Sequence, residues 1–497
     1  MRITNKMMTN NMLSSINNNK NRMSGLEEQY SSGKKIQKPS DDPIIAVRAL
    51  RLRTNLSELN QYYEKNIPDA VSWMDVTESA LTTVNNILSQ INTYCVQGSS
   101  DTLTQKDRAS IVENLKQLKD QIYQEGNANY AGRYVFTGYK TDSSFVFDDS
   151  ISNLSYNISE NFTGDQIQIG SRVTGSYTIS DYDNPAKTFD TSSQIATTYR
   201  LQLSYDQLAD QTMSGINYTK KGPDGSIEEQ APFTNIITVS SKDDDAYAPD
   251  PNAAHYIYDT GEIIFGKNAY EEMRTAEQIQ VSYQKDTFVK GEVKPEHYFD
   301  CVVTDTERPE KDPVTYTKSR QEIQYEINFN QMLTINTEGS DAISQKIGRN
   351  IQDILKSVSD VETVENDMIE INKRLQDGNL TDAQKARYQA MLEQMDTDLT
   401  LKKELMQKAF SSGMKMSQSG QDQVNQAVAD LGSRSVRLQL TENRLSSQQV
   451  DFEDLMSKNE DADIVDTFIR YSSAEAVYNA SLSAASKIVR RSLLDFL

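Results

Sequence analysis

The sequence predicts an α+β protein: a discontinuous helical coiled-coil rod built from both chain ends, with a β-rich domain inserted in the middle. Apolar residues recur every three or four positions up to Gly126 and again from Ile347 onward, a spacing typical of amphipathic helices. Between these segments the period changes to two, as in strands. With 37% hydrophobic and 25% charged residues among 497, the composition is typical of a soluble protein.

The first helical segment carries a coiled-coil seam if Asn19 is counted as its polar member. A polar stretch at 31–43, SSGKKIQKPSDDP, then interrupts the helical pattern. Glycine lets the backbone leave a helix, proline restricts the residue before it, and Ser40 or Asp41 can cap the next helix. On spacing alone, an ordinary helix-loop-helix connection also fits. We predict a hinge at Gly33, Pro39, Asp41, Asp42 and Pro43.

Three more helical runs follow the hinge. They carry apolar residues from Ile45 to Tyr63, from Trp73 to Tyr94 and from Ile111 to Ile122. Pro68 is expected to break the first run from the second, and Gly98 to end the second.

The β-rich middle is predicted to begin with a strand at 132–139, where glycines allow the chain to bend. A hairpin is predicted where Tyr256–Tyr258 and Glu262–Phe265 flank Asp259-Thr260-Gly261. Further strands are predicted at 166–169, 176–179, 235–239, 278–283, 322–329 and 332–336.

The C-terminal part returns to helical spacing. A Thr381 to Gln384 capping box starts one helix. The most regular pattern is a seven-residue repeat of apolar residues at Val424, Leu431, Leu438, Leu445 and Phe452. The last helix begins near Ile464. We predict that the two terminal helices pair and form the subunit interface through Met12, Ile16, Met23, Leu26, Tyr30, Phe468, Tyr471, Tyr478, Leu482, Val489 and Phe496.

These patterns divide the chain into three parts. Residues 1–40 and 456–497 form the terminal coiled-coil helices, an assembly domain, and residues 41–140 and 341–455 form a helical rod domain. Residues 141–340 form a β-rich, acidic, surface-exposed domain. Paired terminal helices still expose apolar faces, which predicts self-assembly, although an intramolecular bundle that covers its own faces fits the same pattern.

Charge is unevenly distributed along the chain. The net charge is −21, and residues 141–345 hold 34 acidic against 15 basic side chains. An acidic middle of this size argues against nucleic acid and anionic membranes as partners.

The chain has no run of 18 apolar residues, and its N-terminus lacks the apolar core of a cleavable signal peptide. Export would therefore need another route.

No pattern of catalytic or metal-binding residues emerges. Cys95 and Cys301 lie far apart in sequence and indicate neither a disulfide framework nor a zinc cluster. Four potential ligands occur in Glu296-His297-x-x-Asp300-Cys301, but alternate residues of a strand face opposite ways. Asp243–Asp245 lacks the glycine and closing glutamate of a calcium loop. We therefore expect no enzyme, no cofactor and no metal.

The ends of the chain resemble the bacterial flagellin family. The N-terminal helix, the Ser-Ser-Gly-Lys-Lys-Ile hinge with Asp41-Asp42-Pro43, and the last helix rich in small residues carry this resemblance. Lys38-Pro39-Ser40-Asp41-Asp42-Pro43, Asp107-Arg108-Ala109-Ser110, the stretch GRYVFTGYKT at 132–141, and the ends AASKI and SLLDFL are similar to the hook-filament junction branch of this family. The resemblance covers residues 1–141 and 341–497.

This resemblance implies a structural part of the bacterial flagellum, exported unfolded through the flagellar type III apparatus after being held by a chaperone. It implies an extracellular adaptor between hook-associated protein 1 and flagellin, which forms a ring of identical subunits through its terminal helices. A flagellin that builds the filament itself is the alternative. An adhesin that uses the acidic middle also remains open.

Overall fold

The computed structural model describes residues 5–494 except 101–102, 177–178, 180–192, 223, 244, 309 and 377–379. It confirms the predicted order of helices, a β-rich middle and helices again. Within the described residues, no helix is both long and apolar enough to span a bilayer. The helices are α1 (Asn5–Ser32), α2 (Pro43–Gln61), α3 (Ile67–Gly98), α4 (Gln105–Glu125), α5 (Lys267–Met273), α6 (Gly339–Ala342), α7 (Lys346–Leu375), α8 (Asp382–Glu460) and α9 (Ile464–Leu494).

The strands form two large sheets and two small pairs. They are β1 (Asn129–Tyr130), β2 (Arg133–Tyr134), β3 (Leu154–Phe162), β4 (Gln168–Thr174), β5 (Gln194–Gln202), β6 (Asn217–Lys221), β7 (Ile227–Glu229), β8 (Ile236–Val239), β9 (Ala254–Ile257), β10 (Glu262–Phe265), β11 (Ala276–Lys285), β12 (Asp300–Asp305), β13 (Val314–Tyr316), β14 (Gln324–Asn328) and β15 (Gln331–Thr334). One sheet has the order β4-β5-β10-β9-β8, the other β13-β12-β3-β11-β6-β7, and the pairs are β1-β2 and β14-β15. In the two large sheets β8 and β9 pair in parallel, and the other neighbours pair antiparallel.

The two large sheets share one hydrophobic core. Ile158 of β3 and Ile263 of β10, one from each sheet, are fully buried in the same cluster. The predicted hairpin is confirmed, with Ile257 of β9 opposite Glu262 of β10. Its turn requires glycine, because Gly261 has φ +64° and a Cβ there would lie 1.9 Å from the Tyr205 carbonyl oxygen.

The chain divides into two compact units. The first contains the described residues of Met1–Ala70, Tyr325–Leu333 and Val436–Leu497, and the second contains those of Val71–Gln324 and Thr334–Ser435. The first unit therefore holds α1, α2, α9 and the C-terminal part of α8. The second holds most of α3, the helices α4 and α7, the N-terminal part of α8 and both large sheets.

The seven-residue repeat predicted in α8 is confirmed as a buried seam. Val424, Leu431, Leu438 and Leu445 are each at most 1% exposed, and Phe452 is half-buried. A repeat of seven keeps these side chains on one face of the helix. The predicted capping box is also present, since the Gln384 side chain accepts from Thr381 N at 2.9 Å.

Two predicted local structures are wrong. Pro68 does not break the helix, because a π-helical turn at Tyr62–Asn66 joins α2 to α3. Ile67 N donates to Tyr62 O, five residues back instead of four. The helical hydrogen-bond pattern is therefore already interrupted next to Pro68, which has no N–H to donate. The strand predicted at 132–139 shrinks to Arg133–Tyr134, because Gly132 and Gly138 turn the backbone with φ of +83° and +61°. Of the strand predicted at 176–179, residues 177–178 lie outside the described residues, and neither Ser176 nor Ile179 lies in a strand.

Candidate assembly interface at the chain ends

The helices α1 and α9 lie antiparallel against each other in the first unit. Asn19 Nδ2 donates to Ser481 Oγ at 3.3 Å, and the ring of Tyr30 lies 5.7 Å from that of Phe468. One contact joins residues 19 and 481 and the other joins 30 and 468, so the two chain directions oppose. The polar Asn19 in the seam, expected from the sequence, is therefore matched by a polar side chain on the partner helix.

The predicted interface residues are more buried on α1 than on α9. On α1, Ile16 is buried, Met12, Met23 and Leu26 are half-buried, and Tyr30 is 45% exposed at the edge. On α9, the less exposed positions step by four and three along one face. They are Thr467, Tyr471, Ala474, Tyr478, Ser481 and Ala485.

Four of these α9 positions, Thr467, Ala474, Ser481 and Ala485, were not among the predicted interface residues. They are small residues, and extending the three-four step from Tyr471 and Tyr478 would have found them. The predicted residues Phe468 and Leu482 lie beside this seam and are 51% and 42% exposed. The side chain of Val489 and the whole of Phe496 lie outside the described part of the chain.

The predicted hinge forms a turn stabilised by two aspartates. Gly33 follows α1 with φ +70°, a conformation that favours glycine. Asp41 Oδ2 accepts from Gln37 N at 3.0 Å and Lys38 N at 2.9 Å, and these backbone hydrogen bonds lower the pKa of Asp41. Pro39 lies in this turn.

The cap of α2 is Asp42 rather than the predicted Ser40 or Asp41. Asp42 Oδ1 accepts from Ile44 N at 2.9 Å and from Ile45 N at 3.1 Å, with Pro43 as the first helical residue. The hydrogen bonds that Asp41 makes to the preceding turn leave the capping role to its neighbour.

A second junction, between α8 and α9, was not predicted. Asp463 caps α9 by accepting from Val465 N at 2.9 Å and Asp466 N at 3.1 Å. The two junctions are hydrogen-bonded to each other: Lys35 N donates to the Glu460 carbonyl at 2.7 Å, and Ala462 N donates to the Gly33 carbonyl at 2.8 Å. The connection between α1 and α2 and the connection between α8 and α9 therefore lie side by side.

Four charged side chains reinforce this place, and we call them the junction cluster: Lys34, Arg53, Glu460 and Asp461. The Glu460 side chain is only 4% exposed and accepts from Arg53 Nε at 2.8 Å and from Arg53 Nη2. Lys34 Nζ lies 2.5 Å from Asp461 Oδ1 and 3.6 Å from Glu460 Oε2. Hydrogen bonds from Arg53 lower the pKa of Glu460, the Lys34 ammonium lowers that of Asp461, and Asp461 raises that of Lys34.

The junction cluster is expected to make stability depend on pH. Carboxyl groups whose pKa is lower in the folded state stabilise it fully above their ordinary values of 4.5 and 3.8, and lose this contribution as pH falls through the lowered pKa. Lys34 stabilises the folded state below its ordinary pKa of 10.5, and this is lost as pH rises through the raised pKa. Glu460→Gln should therefore cost about 1 kcal/mol, or ~2–4 °C in melting temperature, at pH 7.

Melting curves by circular dichroism at pH 7 and pH 3 check this expectation. The difference between wild type and Glu460→Gln should be present at pH 7 and smaller at pH 3, because the contribution of the Glu460 charge is lost as pH falls through its lowered pKa. An equal difference at both pH values would show that the charge of Glu460 does not matter.

His297, Cys95 and Cys301, which the sequence analysis considered as possible metal ligands or thiol sites, lie in the second unit and are buried. The His297 ring stacks on Phe145 at 5.5 Å, its Nε2 lies 3.3 Å from the Ser144 carbonyl oxygen, and burial lowers the pKa of His297 to about 3. Cys95 and Cys301 are buried free thiols whose pKa burial raises to about 12. In the described part of the chain, no three His, Cys, Asp or Glu side chains are grouped so as to hold a metal ion.

Both ends of the chain match known helical regions. Residues 3–141 match the bacterial flagellin N-terminal helical region, and residues 414–497 match the bacterial flagellin C-terminal helical region. The predicted resemblance at the two ends is confirmed, although the C-terminal match begins at residue 414 rather than at 341.

Curated relatives match part of the chain. This chain is 34% identical over 144 residues to flagellar hook-associated protein 3 of Salmonella typhimurium. The aligned segment covers 29% of this chain and 45% of the relative. This chain is also 35% identical over 120 residues to a flagellin of Clostridium tyrobutyricum. That aligned segment covers 24% of this chain and 32% of the relative. The chain thus spans less than half the length of either relative.

A solved structure of similar description is more distant. The flagellar junction protein FlgL from Legionella pneumophila is 11% identical, with 84% of this chain and 100% of that chain covered, at a TM-score of 0.29. A score this low carries no argument about fold or function. The relationship to flagellar proteins therefore rests on the two matched helical regions and on the curated relatives.

Proposed function

We propose that this chain, which carries both helical regions of flagellin, is a structural subunit of the bacterial flagellum. Its role is that of an adaptor at the hook-filament junction, which links hook-associated protein 1 to the flagellin filament through packing of its terminal helices. The 34% sequence identity to flagellar hook-associated protein 3, over 144 residues, supports this role. The mechanism is helix packing rather than catalysis.

The observation that carries the proposal is the apolar surface that remains on the paired chain ends. On α9 the side chains of Ile464, Val465, Ile469, Val477 and Leu482 are 42–70% exposed although α1 lies alongside. A pair of helices has one seam, so each helix keeps an uncovered face. Ordering the backbone costs about 1–2 kcal/mol per residue, and burial of these faces against neighbouring subunits would offset that cost.

The proposed partners follow from the position at the junction. They are hook-associated protein 1, flagellin, further copies of this chain in a ring, and an export chaperone that covers the terminal helices before secretion. Export through the flagellar type III apparatus would place the protein outside the cell. In this proposal residues 1–40 and 456–497 assemble, 41–140 and 341–455 form the rod, and 141–340 face outward.

A flagellin that forms the filament is the second candidate. It is favoured by the match to the Clostridium tyrobutyricum flagellin, which is as similar in sequence as the hook-associated relative. The two roles differ in whether the protein elongates without limit.

Addition to isolated hooks tests the two roles. Purified protein is mixed at rising concentration with hook fragments that already carry hook-associated protein 1, and the products are sedimented and imaged by electron microscopy. The adaptor should stay unpolymerised alone and add a short, self-limited cap to hook ends. Filaments that grow without limit would mean flagellin, and no binding to hooks would contradict both.

Leu482→Asp is expected to leave the monomer folded and abolish addition to hooks. Leu482 is 42% exposed beside the α1–α9 seam, so the carboxylate stays solvated in the free chain. On assembly it would be buried without a partner, which costs several kcal/mol. Hook addition is measured together with the melting temperature.

Ser483→Asp serves as the matched control, since Ser483 is the next residue and is exposed. It introduces the same charge and should add to hooks like wild type. Normal addition of Leu482→Asp would show that this face of α9 is not in the interface.

A further inference from the structure

The helix α2 presents a basic, apolar patch that the described residues of its own unit leave uncovered. Ile44, Val47 and Leu50 are 74%, 52% and 61% exposed, and Arg48 and Arg51 are exposed beside them. Steps of three and four residues place these five side chains on neighbouring turns of one helix surface. The chain has no acidic residue between Asp42 and Glu58. We call this surface the basic face.

The C-terminal part of α8 presents an acidic, apolar patch. Val450 and Leu455 are 63% and 50% exposed, and Asp451 and Asp454 are exposed between them. Val450 and Asp454 are four residues apart, as are Asp451 and Leu455, so the four lie together. Asp454 already binds Lys458 at 2.6 Å, but no basic residue lies between Arg444 and Lys458. We call this surface the acidic face.

The two faces lie on paired helices and point away from each other. Asn459 Nδ2 donates to the Ile45 carbonyl at 3.2 Å and Gln449 Nε2 to Asn60 Oδ1 at 3.1 Å, so α2 and this part of α8 run antiparallel. The buried side chains of each helix, such as Ala49 and Leu445, lie opposite its exposed patch. A basic face therefore cannot meet the acidic face of its own chain.

We infer that the basic face of one copy of this chain docks on the acidic face of the next copy. Each patch combines two or three exposed apolar side chains with charges opposite to those of the other, so burial and charge favour the same pairing. Two different faces on opposite sides give a head-to-tail contact, which builds a closed ring when the rotation between copies closes. The inference rests on the proposed junction role, because a ring of identical subunits needs such a lateral contact.

Charge reversal on hook ends tests this contact. Arg48→Glu with Arg51→Glu places negative charge against the acidic face, and addition to hooks at low ionic strength should weaken at least about tenfold. Asp451→Arg with Asp454→Arg should weaken it similarly. Lys242→Glu with Lys267→Glu changes the net charge as much as the first variant, at exposed positions of the β-rich part, and should bind like wild type.

Restoration identifies the partner. The chain with all four reversals should regain addition to hooks, because every contact again joins opposite charges. An equal mixture of the two double variants should regain part of it, because contacts between unlike copies again join opposite charges. Reversals that weaken binding without restoration would mean that the faces meet a different protein, which overturns the inference. Wild-type binding by the first variant would also overturn it while leaving the junction role intact. Failure of wild type itself to add to hooks overturns both.

Discussion

Ile16→Asp is expected to separate α1 from α9 and, under the proposed function, to abolish addition to hooks. Ile16 is 7% exposed, the most buried of the predicted interface residues on α1. A carboxylate there loses the apolar contact and is placed without a partner in the seam. The loss should be roughly 3 kcal/mol or more, as for truncation of large apolar side chains. Isolated helices are marginal in water, so both should fray once they separate.

Hydrogen exchange followed by mass spectrometry measures this effect in each helix. Amides of α1 and α9 should exchange about a hundredfold faster in Ile16→Asp than in wild type, since 1.4 kcal/mol corresponds to tenfold. Asn17→Asp is the matched control, because Asn17 is exposed and the substitution adds the same charge one residue away. Unchanged exchange in Ile16→Asp would mean that the seam does not hold the two helices.

Phe288→Ala is expected to cause the largest loss of stability in the β-rich part. Phe288 is 2% exposed, and its ring lies 4.6 Å from that of Phe147, 4.9 Å from Tyr156 and 6.0 Å from Tyr205. Truncation removes these contacts and leaves a cavity in the core that the two sheets share. The free energy of unfolding should fall by about 3–5 kcal/mol.

Denaturant unfolding followed by tyrosine fluorescence and circular dichroism measures this loss. Val289→Ala is the control, because Val289 is the next residue and 56% exposed, and its midpoint should stay close to wild type. Equal midpoints for Phe288→Ala and Val289→Ala would contradict the assignment of Phe288 to the core.

Patterns within one helix or turn were readable from the sequence. The repeat from Val424 to Leu445 predicted a buried seam because large apolar side chains seven residues apart share one face whatever the partner. The capping box at Thr381 and the turn at Gly261 were readable because caps and turns depend on neighbouring residues. The charge of the middle segment was likewise a property of the sequence alone.

The tertiary structure decided which face of α9 meets α1. Of the large side chains that sequence reasoning chose, Tyr471 and Tyr478 lie in the seam and Phe468 and Leu482 lie beside it. The small Ala474 and Ser481, which also lie in the seam, were not chosen. Small side chains carry little apolar signal, and their burial depends on how closely the partner helix approaches. The burial of Glu460 was likewise not readable from the sequence, because its partner Arg53 lies about four hundred positions earlier in the chain.

The sequence by itself therefore determined the fold class, the helix periodicities and the two chain ends that match flagellin. The tertiary structure alone decided the strand order in the two sheets, the double junction at Gly33 and Ala462, and the exposed faces left on α2 and α8. The physical reason is range. Periodicity and capping act over a few residues, whereas pairing and burial arise between segments that only the folded chain brings together.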